Sequence, residues 1–123
     1  MTEMNLTKEQ KDFYAQHEEE LKSFPIYEVL QAETLFDTVN TTFPAYTEKI
    51  GHYFLLDDAI RTVENNVCDI ADGGCYMYVW IVKRESGLYN YSTPESRLLF
   101  QFDRTTKKYN KIDEPKRYKH WSF

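Results

Sequence analysis

The sequence predicts an α+β fold: a mostly antiparallel sheet of about four strands, one short helix packed on it, and an N-terminal amphipathic helix. Three observations carry that prediction. In the first, small apolar residues (Cys75, Met77, Val79, Ile81) alternate with bulkier ones (Tyr76, Tyr78, Trp80, Val82). A strand apolar on both faces belongs in the middle of a sheet that is covered on both sides. In the second, Ala59, Ile60, Val63 and Val67 recur at helical spacing just upstream, giving a helix of about ten residues with a narrow apolar face. In the third, residues 97–103 place Leu98, Phe100 and Phe102 on one side, the polar run 104–108 turns, and residues 109–112 return as a hairpin.

Taken in order, the chain opens with a helix signal at Thr7. Thr7 and Gln10 have the spacing of a capping box, in which each side chain satisfies an orphan backbone donor of the first turn. Phe13, Tyr14, His17, Leu21 and Phe24 follow as one stripe, and Pro25 ends the helix, so the N-terminal helical extension covers about residues 6–24. Residues 26–31 have strand character, whereas Ala32, Leu35, Phe36 and Val39 have helical spacing; the two parts share no face and read as a mixed segment. Asn40 to Pro44 is a loop. Residues 49–55 form a short strand, and Asp57 and Asp58 stand where acidic side chains cap the next helix and favour its positive end. Asn65 and Asn66 mark its exit. Asp69 to Gly74 is a turn-rich loop. After the central strand, Ser86 and Gly87 break or bulge the chain, and residues 88–91 continue with alternating aromatics. The tail after Pro115 is basic and aromatic without periodicity.

The small-residue face of the central strand accounts for the short helix. The face of Tyr76, Tyr78 and Trp80 needs a second cover, from the N-terminal helix, a second copy of the chain or a ligand.

Composition sets the outer bounds. The 123 residues suit one domain, residues 1–123, with an α+β core over about 45–115. No apolar run approaches the roughly 18 residues of a membrane span, and the N-terminus lacks the apolar segment of a secretory signal, so the expected setting is cytoplasmic, with no membrane partner. Cys68 and Cys75 are then expected as reduced thiols. The net charge of −5 conceals a split: residues 1–82 hold five Lys/Arg against fifteen Asp/Glu, and residues 83–123 hold ten against five. Such asymmetry marks either a charged partner surface or two halves that attract each other in space.

The succession IGHYFLLDDAIRTVENN, DIADGGCYMYVWIVKRESGLYNYS and FQFDRTTKKYNKIDEP, over residues 49–115, resembles a pattern in small bacterial proteins of unknown function. In these a strand and a helix with an acidic-acidic-Ala-Ile run precede a Tyr-rich strand and a closing hairpin. The resemblance implies the fold and brings no functional residue. The N-terminal extension departs from the pattern.

Few residues suggest chemistry. Cys68, Cys75, His52 and His120 do not have the spacing of a zinc site, and Asp69 and Asp72 lack the further ligands of a calcium loop, so no metal and no cofactor is expected. Asp57 and Asp58 are adjacent on a helix and do not face each other, as paired catalytic carboxylates must. No catalytic residue is assigned. The expected function is a small non-enzymatic protein-binding module, inhibitor- or immunity-like or regulatory, that contacts another protein or itself. Its candidate surface is Tyr76, Tyr78, Trp80, Tyr89 and Tyr91, rings of the kind enriched at interfaces. The alternative is nucleic-acid binding through Lys107, Lys108, Lys111, Arg117 and Trp121, where cations interleave with Tyr109 and Tyr118. A small enzyme without recognisable motifs is the remaining possibility.

Overall fold

The computed structural model describes residues 7–12, 25–85 and 91–123. The fold is α+β. Five antiparallel strands form one sheet in the order β2-β1-β3-β4-β5, with β1 at Ile26–Ala32, β2 at Glu48–Tyr53, β3 at Tyr78–Arg84, β4 at Arg97–Asp103 and β5 at Lys108–Ile112. A helix, α1 (Leu56–Glu64), follows β2. Short 3-10 turns occupy Asp72–Gly74, Pro94–Ser96 and Lys116–His120. No helix among the described residues is long and apolar enough to cross a membrane.

The capping box at the start is present. Thr7 donates its N–H to Gln10 Oε1 at 3.0 Å, and Gln10 donates its N–H to Thr7 Oγ1 at 3.2 Å, opening a helical turn over residues 8–12. The stripe of Phe13 to Phe24 lies outside the described residues.

The fifth strand is β1, which sequence periodicity left mixed. It pairs with β2 on one side and β3 on the other. Val29 enters the core on one face and Leu30 the core on the other, so the strand shows no apolar-polar alternation. Its register with β2 slips between Val29 and Leu30, whose partners are Gly51 and Lys49, and Ile50 is the extra residue. Such a bulge re-aims a side chain, here Ile50.

The helix starts earlier than its acidic residues suggest. Leu55 is the N-cap and has no side-chain cap bond; Asp57 and Asp58 lie in the first turn. They do not cap the helix, because at these positions they are already inside it, but they still favour its positive end. Asp58 also pairs with Arg61 at 2.6 Å. Asn65 closes the helix and Asn66 turns with φ 48°, so Val67 falls beyond it and is partly exposed.

Each sheet face has its own core. On one, Ala59 and Val63 of α1 pack with Val29, Val79, Ile81, Phe100, Phe102 and Tyr109. On the other, Leu30, Trp80, Val82 and Leu99 lie under Tyr118, with Leu35, Phe36, Trp121 and Phe123 around them. The cover of Trp80 is thus the chain's own C-terminal tail. Tyr118 stacks at 4.9 Å between ring centroids and Phe123 meets the indole edge-on at 5.3 Å. The Tyr118 hydroxyl donates to the Leu35 carbonyl, and burial, ahead of the nearby Glu114 charge, pushes its pKa up to about 12.

Glu28 ties the three strands at the β2 side of the sheet, accepting from Arg84 Nε at 2.6 Å and from Lys49 Nζ at 2.8 Å. Burial by itself raises its pKa, but the hydrogen bonds and charges of Lys49 and Arg84 outweigh that and hold it below the ordinary 4.5. The unfolded chain therefore takes up this proton at higher pH than the folded one. The stabilisation is complete above 4.5 and lost as pH falls through the lower folded value. Urea unfolding between about pH 3 and 6 is expected to show a stability slope that Glu28→Gln flattens. An unchanged slope would assign acid sensitivity to other carboxylates.

Candidate binding cleft

Beyond α1 the chain makes a loop of unusual conformation. Asn66, Cys68, Asp69 and Asp72 all have positive φ, as do Gly73 (68°) and Gly74 (104°). Asn and Asp tolerate the left-handed region better than other side chains, and Gly74 adopts an angle that few residues besides glycine accept. Polar contacts hold the loop. Asn66 Oδ1 accepts from the Ala71 N–H at 2.9 Å, and Asp69 Oδ1 from the Gly73 N–H at 3.3 Å.

These turns delay the chain's entry into the sheet until Tyr78. Cys75 is consequently exposed and does not face the core, which corrects the strand alternation expected for it. Tyr76 is released from that alternation too. It stands beside β1 on the α1 side of the sheet, and its carbonyl accepts the Tyr109 hydroxyl at 2.5 Å.

The result is a pair of adjoining clefts that share Gln31 and Tyr76. The larger, about 530 Å³, lies between β1, β2, α1 and the loop. Ile50, Val67 and Ile70 give it apolar surface above the buried Val29, Asp69 and Asp72 give it charge, and Thr62 Oγ1 donates to the Tyr53 hydroxyl at 3.0 Å at its helix wall. The second, about 360 Å³, lies toward the segment after β1 and includes Glu33, Asp37, Glu48 and Tyr46. Tyr46 is 84% exposed.

Among the described residues no Lys or Arg lines either cleft, and none of the five carboxylates takes part in an ion pair. Asp37 accepts backbone N–H bonds from Asn40 and Val39, which lower its pKa. The phenol of Tyr76 is shifted upward, first by desolvation and then by the charges of Glu48, Glu33 and Asp72. Negative charge therefore surrounds that ring from both clefts.

The residues expected to form one aromatic surface do not do so. Tyr76 lies at the clefts, Tyr78 is half-buried on the opposite face, and Trp80 is 0% exposed beneath the tail. Tyr91 is exposed beside the C-terminal segment, and Tyr89 lies outside the described residues. The proposed nucleic-acid surface is also divided. Lys107, Lys108 and Lys111 are exposed on the β4-β5 turn and the edge strand, where lysines discourage edge-to-edge pairing. Arg117 lies over the Phe36 ring at 4.3 Å, Trp121 is half-buried against Tyr118, and Tyr109 and Tyr118 are buried in different cores. The rings that would stack on bases are turned inward.

Glu33, Asp37, Tyr46, Glu48, Ile50, Asp69 and Asp72 were not singled out as one site by sequence. Their one advance signal was the acidic balance of residues 1–82. Among the described residues the ion pair of Glu28 with Arg84 joins that part to residues 83–123. No group of three His, Cys, Asp or Glu side chains among the described residues could hold a metal ion.

Fold and cleft define a small α+β protein with an acidic concave surface. In comparisons with known proteins, no family model, no curated protein and no solved structure matches the chain.

Proposed function

We propose that this protein is a non-catalytic binding module of the cytoplasm that engages a basic protein, in the manner of an inhibitor or immunity protein. The observation that carries the reading is the set of five carboxylates lining two adjoining clefts, none of them in an ion pair and none beside a Lys or Arg of the lining among the described residues. Unpaired carboxylates repel one another and gain when a cationic surface arrives, and complementary charge speeds encounter as well as selecting the partner. Exposed Tyr46 and Phe43 add the ring area that interfaces favour.

The test is capture from a native extract followed by cross-linking and mass spectrometry, with two charge-matched variants. Glu33→Gln/Glu48→Gln is expected to abolish recovery of a stoichiometric basic protein, whereas Glu95→Gln/Asp113→Asn, with the same charge change away from the clefts, is expected to retain it. Recovery of nucleic acid alone, of no protein, or of a protein equally lost in both variants would refute the reading.

A further inference from the structure

The two clefts meet at one ring, and that arrangement narrows what can fill them. Resting on the binding reading above, we propose that Tyr76 is the dividing wall of a double subsite that takes two cationic side chains from one extended segment of the partner. Asp69 and Asp72 stand on one side of Tyr76, and Glu33 and Glu48 on the other. Alternate side chains of an extended strand point the same way and are about 7 Å apart, so residues i and i+2 can straddle a single aromatic side chain.

The lining of the larger cleft favours a long cationic side chain over a small cation. Ile50, Val67 and Ile70 offer apolar surface to an aliphatic stem, while the loop carboxylates meet its charged head. Arginine suits the site better than lysine, because a guanidinium can bind a carboxylate in bidentate fashion and lie on the Tyr76 face as well. The bulge at Ile50 is part of the construction, since it supplies a wall that regular pairing of β1 with β2 would not.

The experiment is an amide chemical-shift titration of the full chain with three capped peptides: Gly-Ser-Arg-Ser-Arg-Ser-Gly, its single-arginine counterpart with the second Arg replaced by Ser, and its di-glutamate counterpart. The di-arginine peptide is expected to shift amides of residues 31–34, 48–51 and 69–76, and to bind at least about fivefold more tightly than the single-arginine peptide. Asp69→Asn/Asp72→Asn, a change that positive φ tolerates, is expected to weaken it about tenfold, and Tyr76→Ala about fivefold. Glu95→Gln/Asp113→Asn should leave it unchanged.

Equal weakening by the cleft and remote variants would overturn the double subsite while leaving a generally acidic binding protein. Absence of any cation-dependent shift would overturn the subsite, and the capture experiment above then decides the binding reading separately. Sedimentation of the free chain provides a separate check: concentration-dependent association lost in Asp69→Asn/Asp72→Asn would show that the occupant is a second copy and refute the proposal.

Discussion

Replacing Arg97 by Met is expected to lower the unfolding free energy by about 3–5 kcal/mol, the range for removing one member of a buried ion pair. The Arg97 side chain is fully buried and all five of its N–H donors are used. Nε and Nη2 donate to the two carboxylate oxygens of Glu114 at 3.1 and 2.5 Å; Nη1 donates to Ser92 Oγ and the Trp121 carbonyl, and Nη2 also to the Tyr118 carbonyl. The guanidinium further lies over the Phe123 ring at 4.7 Å. One side chain on β4 thus fastens the tail at Tyr118, Trp121 and Phe123. Met preserves much of the apolar volume but leaves Glu114 and two backbone carbonyls without their donor. Lysine would not rescue it, because three donors on a point charge cannot reproduce a planar fork. Urea unfolding followed by Trp emission measures the effect. A loss below about 1 kcal/mol would mean that the tail is held by its rings alone.

Deleting residues 116–123 is expected to cost more still, above about 4 kcal/mol, since it removes Tyr118, Trp121 and Phe123 together. The deletion leaves Trp80 as the sole tryptophan, which makes emission a direct report. Trp80 is expected to move to longer wavelength and become accessible to a neutral quencher. The full-length Trp121→Phe variant, in which the same indole stays covered, provides the reference. Continued protection of Trp80 after the deletion would show that something other than the tail covers that face. The Arg97 and tail effects should not be additive, because the arginine acts on the very segment that the deletion removes.

The features legible in the sequence are those set by neighbours along the chain. The Thr7 and Gln10 capping box, the Ala59, Ile60 and Val63 helix face, the Asn65-Asn66 exit, and the hairpin of residues 97–112 depend on local spacing and turn chemistry. The packing of α1 over Val79 and Ile81 also follows from local pattern, because alternation assigns those side chains to one face. Strand β1 was harder. Val29 and Leu30 are both buried, on opposite faces, and a strand covered on both sides loses the period that identifies it. Tyr76 departs from the alternating pattern for a different reason, since the positive-φ loop before it shifts the start of β3 to Tyr78 and cancels the alternation that would set its face.

By itself, then, the sequence determined the α+β class, the central strand from Tyr78 onward and the acidic balance of its first two-thirds. Only the tertiary structure decided what covers Trp80 and where that acidity is concentrated. The tail reaches the sheet through Arg97 and Tyr118, contacts that span 21 to 83 residues of chain and leave no periodic trace. The same holds for the clefts. Their carboxylates come from the segment after β1, the start of β2 and the loop before β3, and only the pairing of β1 with its neighbours brings them around Tyr76.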